Sequence, residues 1–291
     1  MKCKLCPHKC GALRTEDTKG GKCGLTSTIK LARVAPHMWE EPPISGSRGS
    51  GTVFFSGCTL NCIFCQNYKI SAENFGTSVT AEKLADEFKK LEDMGVHNIN
   101  LVSATQFVPE IIRSFKIFKP SIPVVYNSGG FERVETLKAL EGIVDIYLPD
   151  FKYSDDKLAF EYSGAENYRA TALSAIREMF RQKGKLVLDD NGIATKGVLV
   201  RHLVLPNHTR NSIEALDILK ENFGDLLTLS LMAQYTPCGE GALHPKLNRK
   251  ITRREYQKVF DHLLDLEIDG YSQELKSATE EYIPLWDYEA E

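Results

Sequence analysis

Ser56-Gly57-Cys58-Thr59-Leu60-Asn61-Cys62-Ile63-Phe64-Cys65-Gln66-Asn67 follows directly on the apolar run Val53-Phe54-Phe55. A strand that delivers three closely spaced thiols onto one loop is well placed to hold a soft metal centre. Three ligands are one short of the four thiolates of a fully protein-ligated [4Fe–4S] cluster. An iron left without a thiolate can bind something else, as a catalytic metal with an open position does. A structural zinc knuckle is the alternative, but it needs a fourth ligand and usually shows two Cys-x2-Cys pairs.

The Cys-x3-Cys-x2-Cys spacing, with the aromatic Phe64 just before its last cysteine, resembles the signature of the radical SAM superfamily. The resemblance implies that Cys58, Cys62 and Cys65 hold a [4Fe–4S] cluster. Its remaining iron would chelate S-adenosylmethionine (SAM) through the amino and carboxylate groups. One electron from a flavodoxin- or ferredoxin-type reductant would then cleave SAM to methionine and a 5′-deoxyadenosyl radical, so that the cofactors carry the hard chemistry.

The chain has 291 residues, of which 42% are hydrophobic and 26% charged, enough for one large α/β domain with a small appendage. The net charge of −3, without a basic tract, gives no sign of electrostatic nucleic-acid binding. No apolar run approaches a membrane span, and Met1-Lys2-Cys3-Lys4 does not read as a signal peptide. Seven of the eight cysteines fall in the first 65 residues at metal-type spacings, which favours metal sites in a reducing cytoplasm over disulfides.

Residues 1–28 form a Cys-rich segment, Cys3-x2-Cys6-x3-Cys10-x12-Cys23, with Gly11, Gly20, Gly21 and Gly24 among the cysteines. Glycines let the backbone turn tightly enough for thiolates to converge on one ion. The four cysteines fit a zinc site in which His8 can replace one thiolate; a second iron–sulfur cluster is the rival, and no metal at all is the third option. Residues 29–51, rich in proline and glycine, read as a connecting loop. Its stretch His37-Met38-Trp39-Glu40-Glu41 either lines the active site, with His37 as a catalytic candidate, or is a linker packing its tryptophan.

From residue 52 to 267, apolar strand-like runs alternate with helical periodicity. The strands are expected at Val53–Phe55, Asn98–Val102, Pro123–Tyr126, Val144–Leu148, Val198–Leu205 and Leu227–Tyr235. Between them lie helical patterns through Leu84 to Leu91, Val108 to Phe115 and Val134 to Leu140, a long one near 155–183, and one opening near Asn211 with Glu214 as capping partner. The last helix is capped by Thr252-x-x-Glu255. Strict alternation predicts a parallel sheet with crossover helices, and with the resemblance it implies a partial (β/α)6 TIM-type barrel. Residues 268–291 read as a C-terminal cover.

In β/α barrels chemistry sits at the C-terminal ends of the strands. Those ends carry Ser103-Ala104-Thr105-Gln106, Asn127-Ser128-Gly129-Gly130-Phe131-Glu132, Asp150-Phe151-Lys152, Arg201-His202 and Gln234-Tyr235-Thr236-Pro237-Cys238. Taken singly, an Asp-x-Lys is usually a surface ion pair and a buried Arg-His a satisfied core pair; polar ends on all six strands point to a common pocket.

From Cys3 to Tyr235 the chain resembles the pyruvate formate-lyase activating enzyme-like branch of the superfamily. The resemblance places Phe64 beside the adenine, Asp150 and Lys152 on SAM, and Arg201 and His202 near the same cofactor. The stretch from Asn127 to Phe131 resembles the Asn-Gly-Phe turn after strand three, which puts Asn127, Ser128 and Gly129 among the cofactor-binding residues. The usual Gly-Gly-Glu is replaced here, so Thr105 or Gln106 takes its place, and Gln234 closes the cofactor set. No eight-cysteine ferredoxin-like insert follows Cys65. Cys238 reads either as a hydrogen-atom donor, as an extra cluster ligand or as a chance loop cysteine. The implied substrate is a protein, such as a glycyl-radical enzyme, or a peptide or small molecule. The competing class is a non-catalytic metal-binding protein.

Overall fold

The computed structural model describes residues 2–278 and 286–289. Eight strands build one sheet: β1 (Ile29–His37), β2 (Ser50–Phe55), β3 (Thr77–Val79), β4 (Ile99–Val102), β5 (Val124–Ser128), β6 (Ile146–Pro149), β7 (Val187–Leu188) and β8 (Ala194–Val198). They lie in the order β3-β1-β2-β4-β5-β6-β8-β7, and β2-β4-β5-β6-β8 is parallel throughout. β9 (Val200–Leu203), β10 (Thr228–Met232) and β11 (Asp269–Ser272) form a second parallel sheet. A bridge between Asp150 and Arg201, with Phe151 N–H donating to Arg201 O at 2.8 Å, carries the wall on from β6 to β9.

The helices are α1 (Pro42–Ser45), α2 (Tyr68–Ser71), α3 (Ala81–Asp93), α4 (Val108–Ile117), α5 (Val134–Ala139), α6 (Asp156–Ser163), α7 (Tyr168–Lys183), α8 (Thr209–Phe223) and α9 (Arg253–Asp265). In α3, Leu84, Phe88 and Leu91 recur on one buried face, and Thr80 caps the start by accepting from Lys83 N–H. The Thr252–Glu255 capping box of α9 forms as its sequence predicts. Phe55, Phe88, Phe107, Tyr126, Tyr147 and Met179 are fully buried between sheet and helices. No described helix is long and apolar enough to cross a membrane.

The fold departs from the sequence reading in five places. Residues 29–51 are not a loop throughout: β1 runs antiparallel to β2 and buries Leu31 and Ala32. Its Pro36 is tolerated because β3 covers only Ile29–Leu31, leaving the proline on an unpaired edge. The helix expected near 155–183 is two helices, broken at Gly164, where φ is +55°. The fifth strand starts four residues early and is interrupted at Leu199, giving β8 and β9. α8 opens at Thr209, and Asn211 does not cap it; its Oδ1 accepts from Ser154 N–H at 2.9 Å. Finally, the expected cover contributes β11 to the sheet, with Gly270 so close to Leu229 O that a Cβ would lie 1.8 Å away. Residues 279–285 and 290–291 of that cover lie outside the described residues.

Candidate active site

A cavity opens at the C-terminal ends of the parallel strands, and the loop after β2 forms one wall. Gly57, at φ +76°, turns the chain out of the strand, and Gln106 Nε2 holds the turn by donating to Ser56 O and Gly57 O, each at 3.0 Å. The thiol-bearing residues Cys58, Cys62 and Cys65 all line this cavity. Burial pushes the Cys58 thiol above its usual pKa and the Cys65 thiol up to about 12. Three thiolates this buried need positive charge among them, which is what the irons of a cluster supply.

The opposite wall is polar and charged. Arg201 Nε lies 2.8 Å from Asp150 Oδ1, its Nη1 lies 3.2 Å from Glu40 Oε2, and its Nη2 donates to Asn127 Oδ1 at 2.6 Å. Lys152 Nζ pairs with the other oxygen of Asp150. Burial works against a charged Asp150, yet Arg201 and Lys152 outweigh it and hold the carboxyl below its usual range. Glu40 also accepts from Asn100 Nδ2 at 3.3 Å and Asn127 Nδ2 at 3.2 Å, but burial dominates there and pushes its pKa up. Burial does the same to Glu41, whose Oε2 lies 3.9 Å from Arg201. One guanidinium therefore gathers three buried carboxyls from β6 and the 37–41 stretch.

The cavity brings together most of the residues expected from sequence: His37, Phe64, Asn127, Ser128, Gly129, Asp150, Lys152, Arg201 and Gln234 all line it. Among them, burial lowers the pKa of His37, which packs edge-on against Phe54. Four expectations fail on geometry. His202 follows Arg201 on β9, so strand alternation turns it away, and its Nδ1–H donates to Phe151 O while Ser212 donates to its Nε2. Its burial lowers its pKa to about 4. Thr105 donates to Glu132 behind the strand ends, and Gln106 is occupied by the cluster-loop carbonyls. Cys238 does not line the cavity either; its thiol packs behind Phe64, donating to that residue's carbonyl at 3.3 Å.

The lining also includes Trp39 and Glu40 of the 37–41 stretch, Ser103 and Thr236 of the polar strand ends, and Asn67, none of which the sequence gives an individual role. The pair of carboxyls beside Trp39 was the sequence signal for Glu40. Asn67 Oδ1 and Thr236 Oγ1 are buried without a hydrogen-bond partner, and such groups on a cavity wall fit a polar ligand. At Gly129 a Cβ would come within 2.4 Å of Leu60 Cδ1. Residues and donor set thus fit a cluster and a polar, zwitterionic cofactor.

The N-terminal cysteines lie outside this cavity. Cys10 and Cys23 flank Gly21, whose Cβ would meet their sulfurs at 3.0 and 3.9 Å, and burial pushes Cys6 up to about 11. The segment is pinned to the rest of the fold: His8 Nε2–H donates to Thr59 O at 2.8 Å, Arg14 donates to Gln106 O at 3.1 Å, and Thr136 donates to Leu5 O at 2.6 Å.

The profile of the radical SAM superfamily matches residues 52–274, and the chain belongs to that superfamily. Membership implies a [4Fe–4S] cluster and SAM binding. An uncharacterized protein of Methanocaldococcus jannaschii is 28% identical over 268 residues, which cover 89% of this chain and 73% of that protein. Among solved structures, Streptococcus suis SuiB bound to precursor peptide SuiA has a TM-score of 0.52 at 16% identity, over 76% of this chain and 48% of SuiB. A radical SAM methyltransferase from Sphaerobacter thermophilus scores 0.53 at 14% identity, over 76% of this chain and 65% of that one. Methylornithine synthase (PylB) scores 0.50 at 16% identity, over 76% and 70%. The chain thus spans about half the length of SuiB and about two thirds of the methyltransferase.

Proposed function

We propose that the chain is a radical SAM enzyme in which Cys58, Cys62 and Cys65 ligate the cluster and the cavity beside them holds SAM and the reacting group of the substrate. The observation that carries this is that Cys58, Cys62 and Cys65 line one cavity together with Asp150, Lys152 and Arg201. Bound there, the cluster and SAM would supply radical chemistry, the abstraction of a substrate hydrogen atom.

The remaining work falls to the chain. Lys152 and Asp150, fixed against each other, offer a cation and an anion to the carboxylate and amino group of a zwitterion. Asn127, Ser128 and Gly129 present backbone and amide groups at the end of β5, while Phe64 offers an aromatic face and Gln234 a side-chain amide. Asn67 and Thr236 supply further polar atoms that a ligand can satisfy. Arg201 keeps Asp150 ionised and Glu40 in place. His37, neutral because burial lowers its pKa, lines the same cavity with Trp39.

A protein or peptide substrate is the reading we favour, and a glycyl-radical enzyme is its narrower form, resting on the Asp150-x-Lys152 resemblance. SuiB, whose crystal structure is bound to precursor peptide SuiA, is the neighbour that favours a peptide substrate. The N-terminal cysteines would hold a zinc ion, or a second cluster, that staples the segment to the cluster loop. A flavodoxin- or ferredoxin-type protein would deliver the electron in a reducing cytoplasm. Incubating the reduced, iron-loaded protein with SAM is expected to yield 5′-deoxyadenosine, and a K152A variant is expected to bind SAM more weakly. No 5′-deoxyadenosine from a protein that holds four irons would contradict the reading.

A further inference from the structure

Ser163 is the last residue of α6, and its hydroxyl does not turn back on its own helix as those of Ser114 and Ser174 do. Ser114 and Ser174, both inside helices, donate back to the carbonyls of Glu110 and Ala170. Ser163 instead donates to Cys62 Sγ at 3.0 Å, while Tyr153 Oη lies 2.6 Å from Ser163 Oγ. Tyr153 is fully buried, Ser163 is 4% exposed and Cys62 7%. The contact is held by the backbone as well, since Ile63 N–H donates to Tyr162 O at 2.9 Å and ties the residue after Cys62 to the end of α6. Phe64 packs edge-on against both Tyr153 and Tyr162 and helps cover the contact.

Counting hydrogens fixes the direction of this chain. A metal-bound thiolate has none to give, so Ser163 must donate to Cys62; a serine hydroxyl has only one hydrogen, so Tyr153 must donate to Ser163. The result is a polarised relay, Tyr153 to Ser163 to Cys62, in which the outer bond strengthens the inner one. Hydrogen bonds to cluster sulfurs are one of the protein's means of setting reduction potential. An electron added to the cluster increases the negative charge on its sulfurs, so a donor there stabilises the reduced form more than the oxidised one.

We infer that Ser163, backed by Tyr153, is a positioning residue that raises the reduction potential of the cluster through Cys62. The inference rests on the reading that Cys62 is a cluster ligand. It implies that reduction of the cluster is made more favourable by a buried contact rather than by a residue that lines the cavity.

The test is an anaerobic, mediator-equilibrated redox titration of the reconstituted protein, followed by EPR, on wild type, S163A, S163T and Y153F. At the wild-type midpoint, S163A is expected to hold about tenfold less reduced over oxidised cluster, a shift of about 59 mV to lower potential for one electron. S163T, which keeps the hydroxyl, should restore most of it. Y153F should shift the potential the same way by less, because only the polarising bond is lost. Unchanged potentials in S163A and Y153F, with iron content intact, would overturn the inference while leaving the cluster reading standing. If S163A fails to load iron, Y153F alone decides: a shift to lower potential supports the relay and an unshifted midpoint refutes it. A wild-type protein with no four-iron centre would remove the premise itself.

Discussion

The thiols of Cys58, Cys62 and Cys65 and those of Cys3, Cys6, Cys10 and Cys23 share a residue type and short spacings, but not their surroundings. The first group lines a cavity whose far wall carries Asp150, Lys152 and Arg201, and two buried polar atoms on that lining lack partners. The second group sits on an outer segment with Cys10 exposed, where Arg14 donates to Leu25 O, Thr26 O and the Cys3 thiol as well as to Gln106 O, and His8 donates to Thr59 O. A metal that performs chemistry needs a cavity and groups left over for a ligand. A metal that only staples needs a convergent loop and a firm attachment. Spacing gives thiols; surroundings give them their role.

Replacing all four N-terminal cysteines with alanine breaks the comparison hardest. On the proposal that these cysteines hold zinc or a second cluster, that metal is expected to disappear by elemental analysis, while four irons remain at the cavity. Loss of both metals together would mean that the two groups are not independent.

Arg201→Ala attacks the other side. It leaves Asp150, Glu40 and Glu41 buried around a missing cation, and the expected loss of stability is about 3–5 kcal/mol in denaturant unfolding. Arg201→Lys keeps the charge but not the fork, so its loss should be smaller. A neutral effect of Arg201→Ala would show that the carboxyls are not charged in the fold.

The neighbouring His202 gives a contrast one residue away. Its folded pKa is depressed to about 4 against an ordinary 6.5, so the neutral form is the one the fold favours. Its contribution is therefore complete above pH 6.5 and is lost as the pH falls toward 4. The loss should reach about 3 kcal/mol in unfolding measurements across that window. His202→Asn is expected to flatten this slope, and an unchanged slope would assign the acid sensitivity elsewhere.

The adjacent pair Arg201-His202 also shows how far the sequence can be read. Both were visible as polar residues on an apolar strand, but alternation sends one into the cavity and the other into the helix layer, and the phase is set only by tertiary packing. The parallel sheet was legible because buried central strands are long apolar runs, and the cluster loop because three cysteines are rare at that spacing. β1 was not legible, since Pro36 and the glycines after it read as punctuation; its strand forms because β2 offers an open edge. Thr105 and Gln106 stand at a strand end as expected, yet their hydrogen bonds go to Glu132 and to the cluster loop, a choice made by partners far apart in sequence. Glu40 reaches Asn100, Asn127 and Arg201 from a stretch 60 or more residues away, which no local pattern encodes.

The central claim is that Cys58, Cys62 and Cys65 hold a cluster that binds SAM, and anaerobic iron analysis with EPR on wild type and a Cys58/Cys62/Cys65→Ala triple variant tests it most directly. The account predicts four irons at this site in wild type, a reduced-state signal that shifts when SAM is added, and loss of both iron and signal in the variant. Iron retained in the variant, or a wild-type signal indifferent to SAM, would contradict it.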